Sequence, residues 1–213
     1  MDKNLNELLK WGIENHDTSQ NGEGAPAAPT SRLNPEAIAA LFGGGPSDAD
    51  LMKAAMEAVT STDPEVTLDN KLIAFDNFEQ LIENLDNANN IANLSLWTPL
   101  LSCLEHEEQE IRRMAAWCVG TAVQNNEPSQ ERLLAVGGIP PLVTLATKDG
   151  ETEAVRRKAI YALSSAVRNY QPAMDVFTDE LAKKGIRSGK VSADNMDNVD
   201  EVMNDLKAKI TAA

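Results

Sequence analysis

The sequence predicts an all-α chain built as a short helical-repeat solenoid, and three observations carry that prediction. Aromatic residues make up only 4% of the 213 residues, while Ala, Leu, Asn, Asp and Glu are abundant, a mixture that suits helices and not strands. Apolar residues recur at spacings of three and four along most of the chain, the mark of helices with one buried face. The triplet Ile73-Ala74-Phe75 also returns as Ala115-Ala116-Trp117 and Ala159-Ile160-Tyr161, at offsets of 42 and 44 residues. Units of that length cannot bury an apolar face alone and do so by stacking on their neighbours.

The first segment, residues 1–33, reads as a flexible arm. Leu5, Leu8, Leu9, Gly12 and Ile13 form one stripe with Trp11 beside it, enough for a small amphipathic helix but too short to be stable alone. Asp17 to Ser31 carries almost nothing to bury and reads as a linker. Residues 34–66 read as N-terminal capping helices. Asn34-Pro35-Glu36 is a helix start, Gly43-Gly44-Gly45-Pro46 a stop and Ser47 a second cap. Leu51, Met52, Ala55, Met56 and Val59 then give one apolar face, which Asp63-Pro64 ends.

Residues 67–185 hold the repeats. From Thr67 a long helix places Leu68, Leu72, Phe75, Phe78, Ile82 and Leu85 on one face. The three equivalent helices leave through Glu83-Asn84, Asn125-Asn126 and Asn169-Tyr170. An independent register check comes from Thr98-Pro99-Leu100-Leu101, which aligns with Pro140-Pro141-Leu142-Val143 at the same offset of 42. The later offset is two longer, and an insertion at Lys148-Asp149-Gly150 accounts for it. Residues 186–213 read as a turn followed by an amphipathic helix with Val199, Val202, Met203, Leu206 and Ile210 on one side, suited to closing the exposed end of the stack.

Charge narrows the function. With 19 Lys and Arg against 33 Asp and Glu, the net charge is -14, which repels nucleic acid and anionic membranes and favours a neutral or basic protein surface as partner. No apolar run reaches the roughly 18 residues of a membrane span, and Met1 to Lys10 lacks a signal-peptide core, so a cytoplasmic or nuclear, soluble protein is expected. Cys103 and Cys118 lie in apolar helical patterns and read as reduced core thiols. His16 and His106 fall in a linker and an acidic turn, both solvated, far from any nucleophile. Glu105, His106, Glu107, Glu108 and Glu110 read as a charged loop in preference to a metal cluster, and the glycine run lacks the Lys-Ser/Thr of a phosphate loop. No catalysis, cofactor or metal is expected.

Periods of this length belong to HEAT or armadillo solenoids. The stretch Val136-Gly137-Gly138-Ile139-Pro140-Pro141-Leu142-Val143, followed by Val155-Arg156-Arg157-Lys158-Ala159-Ile160-Tyr161-Ala162-Leu163, resembles the armadillo pattern, with three units from Thr67 to Gly185 of which the last is incomplete. The resemblance implies that the helix bearing the aromatic residue lines a concave side. Positions four and eight residues beyond each aromatic share its face: Glu79 and Glu83, Thr121 and Asn125, Ser165 and Asn169. Armadillo proteins that grip extended peptides hold Asn at the first of these positions. This sequence departs from that in all three units, so a broad contact with a folded domain is expected.

Longer matches narrow the family. Leu72-Ile73-Ala74-Phe75-Asp76-Asn77-Phe78-Glu79, Leu81 to Ile91, Leu96-Trp97-Thr98-Pro99-Leu100, Leu8-Leu9-Lys10-Trp11-Gly12-Ile13, Leu41 to Pro46 and Gly120 to Asn126 resemble the fungal nucleotide exchange factors of the seventy-kilodalton heat-shock chaperones. The resemblance implies a monomeric co-chaperone whose concave face holds one lobe of the chaperone's nucleotide-binding domain, so that ADP leaves. It assigns partner contact to Phe75, Glu79, Glu83, Asn84, Asn87, Ala88 and Asn89, and further to Trp117, Thr121, Asn125, Ser165, Arg168 and Asn169. Longer family members carry one more repeat, which this chain replaces with its last helix. The arm bearing Leu8, Leu9 and Trp11 is expected to compete for the chaperone's peptide cleft and hasten client release. An armadillo adaptor or peptide scaffold is the alternative.

Overall fold

The computed structural model describes residues 46–211, with side chains placed as far as Ala208. The expected arm helix, its linker, the helix after Asn34 and the glycine stop lie outside these residues. Among the described residues there are ten α-helices, one 3₁₀ turn and no strand: an armadillo-like solenoid. The helices are α1 (Asp48–Thr60), α2 (Leu68–Ile82), α3 (Leu85–Asn93), α4 (Trp97–Ser102), α5 (Gln109–Val123), α6 (Glu127–Ala135), α7 (Ile139–Thr147), α8 (Glu153–Val167), α9 (Gln171–Lys183) and α10 (Met196–Thr211), with the 3₁₀ turn Cys103–Glu105 following α4.

Local chemistry explains where the helices begin. Thr67 and Asn70 close a reciprocal capping box at the start of α2, and the Asn84 side chain accepts from the backbone N–H of Asp86 (2.9 Å) to start α3. Pro128 and Pro172 stand in the first turns of α6 and α9, and Pro140 and Pro141 in that of α7, where a missing N–H costs nothing. Asn125 and Asn169 adopt left-handed backbone (φ 51° and 58°) just beyond α5 and α8, at positions 44 residues apart. Asn tolerates that conformation better than most residues, and the chain turns there from one unit into the next.

The repeat is three helices long. First helices α3, α6 and α9 and second helices α4 and α7 lie outside a stack of third helices, α2, α5 and α8. Because α5 is packed against both α2 and α8, it is buried on most of its circumference, through Ile111, Met114, Ala115, Ala116, Cys118, Val119, Gly120, Ala122 and Val123. The apolar face expected for α2 is shorter than its sequence pattern. Phe75, Phe78 and Ile82 are buried, but the helix ends at Ile82 and Leu85 belongs to α3, where it is 59% exposed. The cap at Asn84 breaks the helix and turns the later residue outward. On α1, Met52, Ala55, Met56 and Val59 are buried against α2 while Leu51 is exposed.

The two-residue insertion has a structural purpose. The loop before α5 covers residues 106–108 and the equivalent loop before α8 covers 148–152. The longer loop turns through Gly150 (φ 74°) and brings Glu151 back onto α5, where Arg112 grips it with two hydrogen bonds (2.7 and 2.9 Å). Arg112 also donates to the carbonyls of His106 and Glu107, both at 2.6 Å. His106, expected in solvent, is half-buried and shapes this turn by accepting from the Glu108 N–H through Nδ1 (3.0 Å). At the other end, α10 packs on α8 in the reverse direction. Arg168, after the end of α8, pairs with Asp200 near the start of α10, while Leu206 further along α10 lines a hollow with Arg156 near the start of α8. A reversed helix closes the stack and does not continue the repeat.

The Arg112–Glu151 pair generates a prediction. Burial works against the charged carboxylate, but the hydrogen bond from Arg112 and the backbone N–H of Thr152 outweigh it and hold Glu151 below its ordinary value of 4.5. A folded-state value below the unfolded one means stability present above that range and lost as pH falls through the folded value. Arg112→Met leaves the buried carboxylate unpaired and is expected to cost about 3–5 kcal/mol in urea unfolding at neutral pH. Repeating the titration toward acid should show the difference shrinking as Glu151 takes up a proton.

Candidate functional site

The site is built on the inner helices α2, α5 and α8 and on the turns that follow them. Phe75, the first of the three repeated aromatics, is wholly buried and packs in the core, so its ring is not available for contact. Trp117 and Tyr161 are half-buried on the inner face. The Nζ of Lys158 lies 3.6 Å from the centre of the Trp117 ring and 5.6 Å from that of Tyr161, a cation lodged between two aromatics from neighbouring units. Burial, followed by the repulsion of Arg113, lowers the Lys158 pKa from its ordinary value, and the nearby Glu79 carboxylate acts the other way. Tyr161 donates its hydroxyl to Gln124 Oε1 (3.1 Å), tying α8 to the end of α5.

The polar positions divide into those that serve the fold and those that face outward. Glu79 is 5% exposed and accepts from Thr121 Oγ1 (2.7 Å), a link between the first two inner helices. Ser165 is buried, and its carbonyl accepts from Gln130 Nε2 (2.8 Å), which also reaches the carbonyl of Arg168 (3.1 Å). Asn87 donates to the Leu81 carbonyl (2.9 Å) and to Asp48 (2.8 Å), Asn89 accepts from Ser129 (3.2 Å), and Ala88 is buried. Arg168 is bound to Ser164, Asp200 and Met196 and so holds α10. The backbone N–H of Asn169 donates to the Ala193 carbonyl (2.9 Å) in the turn before that helix. Glu83, Asn84, Asn89 and Asn125 are exposed and form the accessible rim.

The inner face is therefore more engaged with itself than the spacing rule implies. A cleft of about 600 Å³ opens between α2, α3 and α5, and it brings together Glu79, Glu83, Ala88, Trp117, Thr121 and Asn125 of the expected residues, with Tyr161 at its edge. Ser165, Arg168 and Asn169 do not line it. Sequence reasoning missed Lys158, Gln124, Asn126 and Gln130. Lys158 was findable, since it stands three residues before Tyr161 and shares its face. Gln124 and Gln130 act by reaching another helix, which no spacing within one helix reveals, and Asn126 bonds Ala122 and Ser129 in the turn between α5 and α6. Among the described residues, no three or more His, Cys, Asp or Glu side chains are grouped to hold a metal, and no helix is long and apolar enough to cross a membrane. Cys103 and Cys118 are buried free thiols, with burial pushing the Cys103 thiol up to about 11 and that of Cys118 up as well.

This arrangement can be placed against known proteins. The family described as nucleotide exchange factor Fes1 matches residues 5–91, and the family described as the SIL1/FES1/HPBP1 C-terminal domain matches residues 87–182. The chain belongs to the Fes1 nucleotide exchange factor family. It is 69% identical over its whole length to the Hsp70 nucleotide exchange factor FES1 of Gibberella zeae, covering 99% of that protein. Identity to the Hsp70 nucleotide exchange factor fes-1 of Neurospora crassa is 56%, with both chains covered completely. Against FES1 of Eremothecium gossypii it is 49% over 70% of this chain and 50% of that one, so this Fes1-family chain matches half of a longer relative. The fold is similar to the crystal structure of an engineered protein, with a TM-score of 0.53 at 19% identity over 96% of this chain and 78% of that one.

Replacing Lys158 with Met keeps the length of the side chain and removes the cation from the two rings. The expected outcome is a loss of about 1 kcal/mol in chemical unfolding with a change in Trp117 fluorescence. Unchanged emission at a position this close to the charge would contradict the stacking.

Proposed function

We propose that this chain is a co-chaperone that binds the nucleotide-binding domain of a cytoplasmic seventy-kilodalton heat-shock chaperone with its inner face, opens that domain and speeds the loss of ADP. Membership in the exchange-factor family supports the activity, and the observation that carries the mode of binding is the Lys158, Trp117 and Tyr161 cluster. In a peptide-gripping solenoid, exposed aromatic rings on the inner face receive the ligand. Here Lys158 already occupies them, Glu79 and Thr121 are joined to each other across units, and Ser165 is buried with its carbonyl held by Gln130. The remaining accessible rim, Glu83, Asn84, Asn89 and Asn125, suits the surface of a folded domain. The peptide-scaffold alternative has no comparable support.

The mechanism needs no catalytic group. An exchange factor works by binding the opened, nucleotide-free form of its partner more tightly than the closed form, and the shift it produces equals that difference in affinity. Moving a partner from mostly closed to mostly open takes a preference of about 10⁴-fold, near 5.5 kcal/mol. A face held rigid by hydrogen bonds between units delivers such a preference better than a mobile one, because little ordering is left to be done on binding. The net charge of -14 speeds encounter with a basic surface at low ionic strength. We assign the monomer as the acting form, residues 67–185 as the gripping part and residues 186–213 as its closing cap.

The decisive experiment is release of a fluorescent ADP from the chaperone. The rate is expected to rise with concentration of the chain and then saturate, and to fall as salt is raised; no acceleration at any concentration refutes the proposal. The arm with Leu8, Leu9 and Trp11, which lies outside the described residues, is assigned to client release. A chain starting at Leu33 is expected to release ADP at the full rate but to free a bound client peptide more slowly. Equal client release by both chains, at matched ADP release, removes that role from the arm.

A further inference from the structure

We propose that the cleft between α2, α3 and α5 receives one arginine side chain of the partner, and that Asn126 at its floor is the residue that selects it. The inference rests on the exchange-factor reading above and deepens it.

Asn126 is 3% exposed and forms part of the cleft lining. Its Nδ2 donates to the Ala122 carbonyl (3.1 Å) and to Ser129 Oγ (2.9 Å). A carbonyl oxygen accepts only, so this contact fixes which end of the amide faces it; turning the group over would set two oxygens against each other. The other end, Oδ1, is the buried side-chain polar atom that has no partner among the described residues. A buried acceptor without a donor is unusual in a folded chain, and because Asn126 lines an open cleft, a donor entering there meets its oxygen once the side chains around Oδ1 give way.

The rest of the cleft says which donor. Thr121 occupies Glu79 Oε1, and among the described residues no hydrogen bond or ion pair is formed by Glu79 Oε2 or by the Glu83 carboxylate. Three acceptors thus stand on this side, Asn126 Oδ1 and the carboxylates of Glu79 and Glu83, two of them charged, while the amides of Gln124 and Asn125 at the exposed edge carry no charge and both donate and accept. Lys158 lies close enough to Glu79 to offset one of those charges, leaving the cleft negative. Its remaining walls, among them Ile82, Leu85 and Trp117, are apolar or flat. A guanidinium answers all three features: five donors in a rigid plane, a permanent charge, and faces weakly enough hydrated to lie against apolar walls. An ammonium offers only a compact, strongly hydrated charge, and a carboxylate or phosphate would be repelled.

The test is a double-mutant cycle on the complex of the full chain with the chaperone's nucleotide-binding domain, with affinity measured by calorimetry at two salt concentrations. Glu83→Gln, at an exposed position, is expected to weaken binding by about fivefold to tenfold and to flatten its salt dependence. Asn126→Ala is expected to weaken binding by about tenfold, with a thermal melt confirming that the chain is folded. Each exposed arginine of the domain is then changed to alanine. One such change should weaken the native complex yet add nothing when the chain already carries Glu83→Gln or Asn126→Ala. If every arginine change is additive with both variants while ADP release persists, the arginine proposal falls and the exchange function stands. If the native chain neither binds the domain nor releases ADP, both fall together.

Discussion

The approach of α5 to α8 at Gly120 is the constraint on which the inner face depends. A Cβ at this position would fall 2.4 Å from the Tyr161 ring and 3.2 Å from the Cα of Ala162, so the two helices stand as close as backbone and ring permit. That closeness lays Tyr161 across α5, where its hydroxyl meets Gln124, and brings Lys158 over Trp117. A larger residue at Gly120 would force the ring aside and dissolve both contacts. The small residues along the seam, Ala115, Ala116, Ala159 and Ala162, extend the same logic, since third helices can stack only where neither presents bulk to the other.

Polar groups supply what apolar packing cannot, a unique register between units. Glu79 to Thr121, Ser129 to Asn89 and Arg112 to Glu151 each join one unit to the next, and Gln130 to the Ser165 carbonyl ties the first helix of a unit to its third. Apolar surfaces tolerate sliding by a turn; a carboxylate gripped by a guanidinium or a hydroxyl does not. Because these groups, Asn89 apart, are largely withdrawn from water, an error in register leaves them unsatisfied. The Asn126 side chain departs from this pattern, with an amine fully engaged and an oxygen that is not, and it does so where the inner face opens.

For an exchange factor this division of labour has a physical rationale. Partner opening draws on differential binding energy, and any part of it used to order the factor itself is lost to that task. An inner face stiffened by its own hydrogen bonds leaves only a few groups, chiefly carboxylates and amides at the rim, to distinguish one partner surface from another. The net charge of -14 disfavours nucleic acid and favours basic surfaces as the counterpart of those few groups.

How much of this was legible in the residue order follows from the range of each interaction. The repeat offsets of 42 and 44, the helix start at Thr67, the insertion before α8 and the final amphipathic helix are local or periodic facts, and the sequence by itself determined them through spacing and capping chemistry, whereas the break at Asn84 fell inside the apolar face read for α2. It also brought Glu79, Glu83, Trp117, Thr121 and Asn125 onto one face, since helical periodicity decides which side chains are neighbours. Contacts between units were beyond it. That Phe75 is wholly buried while Trp117 is not, that Arg168 holds the last helix, that Lys158 covers two rings and that α10 runs backwards against α8 were decided only by the tertiary structure. Each depends on what lies on an adjacent helix some forty residues away, and helical periodicity carries no information about that distance in space.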